Sequence, residues 1–125
     1  MPGLKWNEFE FVECLGVLSK FDEDWVQYSF EYKTDGLVLK IFITPYESLI
    51  NISLALESKK ESFLRFSILV RGEVRYINEK NFAYLNFSDC IVSNYCNPDL
   101  FDKNKYPSYS NFEIHTFPNF QLKFS

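Results

Sequence analysis

The sequence predicts an α+β domain dominated by an antiparallel sheet of roughly six to eight strands, curved or folded into a sandwich, with one N-terminal helix. Three observations predict it. Residues 25–87 form a near-continuous ladder of short alternating segments with turn residues between them. The connections are too short to hold crossover helices, so neighbouring strands should pair antiparallel in a meander. Finally, 14 Phe and 8 Tyr in 125 residues favour strands and bury large areas. With 46% apolar content the chain reads as a single domain, 1–125, able to bury roughly two-thirds of its unfolded surface in one core.

Asn7 followed by Glu10 resembles a helix start, Trp6, Phe9, Val12 and Leu15 recur at helical spacing, and Gly16 is a stop, so a helix is expected over roughly 8–15. Asp22, Glu23 and Asp24 then form a loop. Over 25–33, Val26, Tyr28, Phe30 and Tyr32 share one face of a half-buried strand. Asp35-Gly36 is a hairpin signal, because both residues tolerate the positive φ of a two-residue turn. Residues 37–44 are apolar on both faces apart from Lys40, as in a central strand, and Pro45 ends them. In 49–56, Ile50, Ile52, Leu54 and Leu56 point inward and Asn51, Ser53 and Ala55 outward. In 63–70, Leu64, Phe66, Ile68 and Val70 share a face. Arg71-Gly72 breaks the pattern before strands 73–77 and 82–87. Residues 93–111 contain Pro98 and Pro107 and have no sustained period, which reads as one long loop. Its aromatics either carry function or plug the end of the sheet. Residues 112–117 and 120–124, divided by Pro118-Asn119, form a closing hairpin with Phe120, Leu122 and Phe124 inward.

The net charge of −4 and the absence of a Lys/Arg cluster argue against nucleic-acid binding and point to a basic partner. The N-terminus lacks a secretory pattern and no apolar run reaches spanning length, so a cytoplasmic chain without a membrane role is expected. The sequons at Asn51 and Asn86 fall in strands and read as chance. Cys14, Cys90 and Cys96 are odd in number and widely spaced, which fits buried reduced thiols. A zinc site would require all three to converge with His115, so neither metal nor cofactor is expected. Glu113 and His115, two apart on a strand, share a face and form the best acid/base pair. No nucleophile or oxyanion donor is implied beside them, and no GxSxG, Walker, GxGxxG or HExxH pattern occurs, so an enzyme is not expected. Arg65, Arg71 and Arg75 read as scattered solvated charge.

Trp6-Asn7-Glu8-Phe9, the acidic Phe21-Asp22-Glu23-Asp24 loop, the strand from Trp25 to Tyr32, Asp35-Gly36-Leu37 and the Pro45-Tyr46 break together resemble small bacterial immunity proteins, over about the first two-thirds of the chain. The resemblance implies a cytosolic antitoxin of a contact-dependent growth inhibition or other polymorphic toxin system, which binds a cognate toxin domain and blocks its active site. It transfers no site residues. The contact residues are therefore read from this sequence: Asp22, Glu23 and Asp24, with Tyr95, Asp99, Phe101, Asp102, Tyr106 and Tyr109 from the long loop, facing a basic nuclease. The alternative is a small-molecule binding module with an aromatic-lined pocket in a curved sheet.

Overall fold

A computed structural model describes residues 3–97, 99, 102 and 104–125. Helix α1 (Glu8–Leu15) starts where Asn7 accepts a hydrogen bond from the Phe9 N–H at 2.9 Å, and ends where the Gly16 N–H returns to the Val12 carbonyl at 2.8 Å. Nine strands follow among the described residues: β1 (Lys20–Asp22), β2 (Gln27–Thr34), β3 (Leu37–Thr44), β4 (Leu49–Leu56), β5 (Ser62–Val70), β6 (Val74–Asn78), β7 (Ala83–Ser93), β8 (Ser108–Phe117) and β9 (Gln121–Phe124). They form one antiparallel sheet in the order β1-β2-β3-β4-β5-β7-β8-β9, with β6 also on β7. The α+β, mainly antiparallel architecture is the one the sequence predicts.

One departure from a meander shapes the molecule. β5 pairs with the C-terminal half of β7, from Ser67↔Ser93 to Val70↔Cys90, and β6 pairs with its N-terminal half, from Val74↔Phe87 to Asn78↔Ala83. Between them Arg71 and Gly72 donate to the carbonyls of Asp89 and Ser88 at 2.8 and 3.1 Å. β5 and β6 are thus one kinked run along β7. The other edge of β6 is covered: the Lys5 carbonyl accepts from the Val74 N–H at 2.9 Å, and the Glu10 carboxylate accepts from the Tyr76 N–H at 3.2 Å. This satisfies backbone groups that an open edge would leave available for pairing.

The sheet curls until Tyr32 on β2 meets Phe120, just before β9, at 6.1 Å between ring centroids. α1 fills the concave side. Phe11, fully buried, stacks on Phe30 at 5.2 Å and meets Phe87 edge-on at 6.0 Å, while Phe66, Phe87 and Phe112 continue the packed core. The helix face is turned from the expected stripe at one residue: Trp6, Val12 and Leu15 pack on the core with Phe11 and Cys14, whereas Phe9 points into solvent.

Several boundaries also differ. β1 was not foreseen, and Trp25 and Val26 belong to the turn after it rather than to β2, with Val26 at φ 48°. β7 runs past Phe87 to Ser93 because a kink at Asp89, φ 54°, lets the strand continue with Cys90 buried. The long loop is correspondingly shorter: Ser108 to Asn111 are strand. Leu56 and Leu64, expected inward, are exposed at the turn end of the β4–β5 hairpin. Asn51, expected outward to solvent, is buried beneath the loop that follows β7.

Candidate interaction surface

The predicted contact residues fall on two separate surfaces. Asp22, Glu23 and Asp24 close the β1–β2 turn, where the Asp22 Oδ1 accepts from the N–H groups of Asp24 at 3.0 Å and Trp25 at 3.4 Å. That local bonding fixes the turn and leaves Glu23 and Asp24 in solvent. Tyr95, Asp99, Asp102 and Tyr106 lie in the β7–β8 connection; Tyr109 lies on β8. Phe101 lies outside the described residues. Since β1 stands three strands from β4, the two groups are separated by roughly 15–20 Å along the sheet. The structure does not bring them together.

The β7–β8 connection lies over the outer face of β4, β5 and β7. The Cys96 N–H donates to Ser67 Oγ at 2.7 Å, and Ser67 Oγ in turn donates to Asn51 Oδ1. Asn97 Nδ2 donates to Ser93 Oγ at 3.0 Å and to the Tyr106 hydroxyl at 2.6 Å, while Tyr106 packs on the small cluster of Leu69 and Ile91. Tyr95 sits under the Arg65 guanidinium at 5.2 Å, and burial pushes its hydroxyl above the ordinary tyrosine value. Asp99 pairs with Lys105 at 3.1 Å, and Tyr109 packs against Phe124 at 4.9 Å. These bonds make the connection a cover that buries Asn51, Ser67 and Ser93 while leaving each with a hydrogen-bond partner.

The β1 turn is different in kind. Among the described residues, three of the four most exposed large apolar side chains come from the first 26 residues: Leu18 at 82%, Trp25 at 74% and Phe9 at 73%. The exposure of Trp25 is not readable from the alternation, which assigns it to a strand. Phe21 on β1 packs against Tyr28 at 4.7 Å, and Tyr28 meets Trp6 at 5.0 Å, which joins β1 to the segment leading into α1. Ser19 donates to the Glu8 carboxylate and ties the α1–β1 link to the helix. An open groove of about 320 Å³, lined in part by Leu18, Ser29, Lys40 and Phe42, borders this edge on the outer face.

The remaining candidates are dispersed. His115 Nε2 lies 2.7 Å from Glu113 Oε1, as their shared face requires, but Tyr84 stacks over the imidazole at 4.6 Å. Burial, then the nearby Glu113 and Glu79 carboxylates, raises the Tyr84 hydroxyl above its usual value. Arg65, Arg71 and Arg75 go to Tyr95, Asp89 and Glu10, so they are scattered as expected. Among the described residues no cluster of His, Cys, Asp and Glu has metal-holding geometry, and no helix is long and apolar enough to cross a membrane. The concave face that a pocket would need is filled by the aromatic core, and the described cavities are open surface grooves.

The cysteines correct one expectation, since Cys14 and Cys90 are buried but Cys96 is exposed. Burial pushes the Cys90 thiol up to about 12, with the adjacent Asp89 carboxylate acting in the same direction. A raised pKa means that the folded state keeps the proton. Its contribution to stability is complete below the ordinary thiol range and is lost as pH rises toward 12. At pH 8 a thiol-exchange reagent should therefore label Cys96 quickly, and Cys14 and Cys90 only after denaturation. Labelling of a second thiol in the native protein within minutes would show that the core opens readily.

No family model and no curated protein matches the chain. A solved structure does match. It is a chain of the contact-dependent growth inhibition toxin–immunity protein complex from Klebsiella pneumoniae 342, with a TM-score of 0.67 and 16% identity, covering 100% of this chain and 98% of that one. The two chains share a fold. The match spans both chains almost end to end, so the common architecture extends along the whole of this chain.

Proposed function

We propose that this chain is an immunity protein of the contact-dependent growth inhibition kind, which neutralises a cognate toxin domain by binding it and covering its active site. The observation that carries the reading is the end-to-end likeness to a chain of a toxin–immunity complex. Location in the cytoplasm fits this role, because the toxin must be met where it acts. The acidic balance of the chain favours a basic toxin, such as a nuclease whose cleft is shaped to hold phosphates. Such a protein works by affinity and needs no turnover, which agrees with a Glu113–His115 pair closed over by Tyr84.

The test is to read the gene immediately upstream of this one and, where it encodes a large secreted protein with a variable C-terminal domain, to co-express that domain with this chain. The expected result is restored growth and co-purification of the two chains in a fixed ratio. Persistent toxicity with no complex at micromolar concentrations would reject the reading.

A further inference from the structure

The charge of this protein is localised. The first 26 residues carry six carboxylates against two lysines, which is the entire net charge of −4, while residues 27–125 carry eleven acidic and eleven basic side chains. Within that segment Glu10 is drawn to Arg75 and the β6 edge. Glu8, Glu13, Asp22, Glu23 and Asp24 have no ion pair among the described residues. The same short stretch supplies Leu18, Phe21, Trp25 and Phe9 as exposed apolar groups. Solvating large apolar side chains costs free energy that folding normally recovers, and a stable domain has no need to concentrate them beside unpaired carboxylates.

We infer that the α1–β1 surface is the face that docks on the toxin, with Leu18 and Trp25 as apolar anchors and the Asp22-Glu23-Asp24 turn as the charged rim for a basic protein partner. The inference rests on the immunity reading and goes beyond it by choosing between the two surfaces. The partner's chemistry follows from complementarity: lysine and arginine side chains around an apolar recess would meet the carboxylates while the recess receives the indole. The turn is preorganised, because Asp22 already holds the backbone of Asp24 and Trp25 in place, so less conformational entropy is lost on docking. The β7–β8 connection is the less suited surface. Its Asn97 and Tyr106 are spent on holding the sheet cover.

The experiment measures binding of the toxin domain that co-expression identifies by the wild-type chain and four variants whose thermal midpoints are checked first. Trp25→Ala and Leu18→Ala should each weaken Kd by about 30-fold or more, the effect of an interface hot spot. Reversing Glu23 and Asp24 to lysine, with the turn-holding Asp22 kept, should slow association by about tenfold at low salt, with the difference closing as salt rises. Phe63→Ala, at the exposed apolar end of the β4–β5 hairpin, should leave Kd within about threefold. If the wild type binds and Trp25→Ala and Leu18→Ala bind equally well, or Phe63→Ala is the variant that fails, this inference is overturned and the immunity reading stands. If the wild type itself does not bind, both fall.

Discussion

Phe11→Ala is expected to lower unfolding free energy by about 3–5 kcal/mol, as for other large-to-small changes at fully buried aromatics. For a domain of this size that corresponds to a fall in Tm of roughly 10–20 °C. The reason is geometric. Phe11 is the ring through which α1 reaches both halves of the sheet, since Phe30 belongs to β2 and Phe87 to β7. Trp6 closes on it at 5.5 Å, so the space vacated by the ring is walled by other rings that have limited freedom to collapse. Urea denaturation followed by far-UV circular dichroism measures the loss. Phe9→Ala on the same helix should change stability by less than about 0.5 kcal/mol, because that side chain is in solvent. Equal effects from the two substitutions would mean that the helix docks through a different face.

That contrast shows where the sequence stops being informative. In Glu8–Leu15 two apolar stripes overlap, one through Phe9 and Val12 and one through Phe11, Cys14 and Leu15. Local spacing alone does not choose between them. The choice is made by tertiary contacts: Glu10 bonds to the edge of β6, and this turns Phe11 into the concavity. The strands on either side of Asp35-Gly36 were legible because the first alternates, the second is a short apolar run ended by Pro45, and the turn chemistry sets their register. β1 was not legible, since three residues, Lys20, Phe21 and Asp22, show no period and take their form from pairing with Gln27 to Ser29. Asn51 looks solvent-facing by pattern, but it is buried with Ser67 and Ser93 under the β7–β8 connection, which a loop reading does not place. For the same reason the acidic turn could be read from composition, whereas the exposure of Trp25 could not.

Gly72→Ala should destabilise the protein by about 2–3 kcal/mol, through overpacking rather than loss of contacts. Gly72 stands at the kink between β5 and β6, where a Cβ would lie 2.6 Å from the Ser88 carbonyl oxygen and collide with Ser88 Oγ. The hydroxyl could rotate away, but the carbonyl is part of β7 and accepts the Gly72 N–H at 3.1 Å. Relief therefore requires the two strands to separate at the point where the run changes partners from β4 to α1. Combining Gly72→Ala with Ser88→Ala tests this account, because removing the hydroxyl leaves the backbone clash in place and should recover less than half of the loss. Full recovery would assign the cost to the side chain alone. Hydrogen exchange adds a spatial readout: amides of β6, from Val74 to Asn78, should lose protection before those of the β3–β4 pair, since among the described residues β6 has only β7 as a strand neighbour and depends on Lys5 and Glu10 along its other edge.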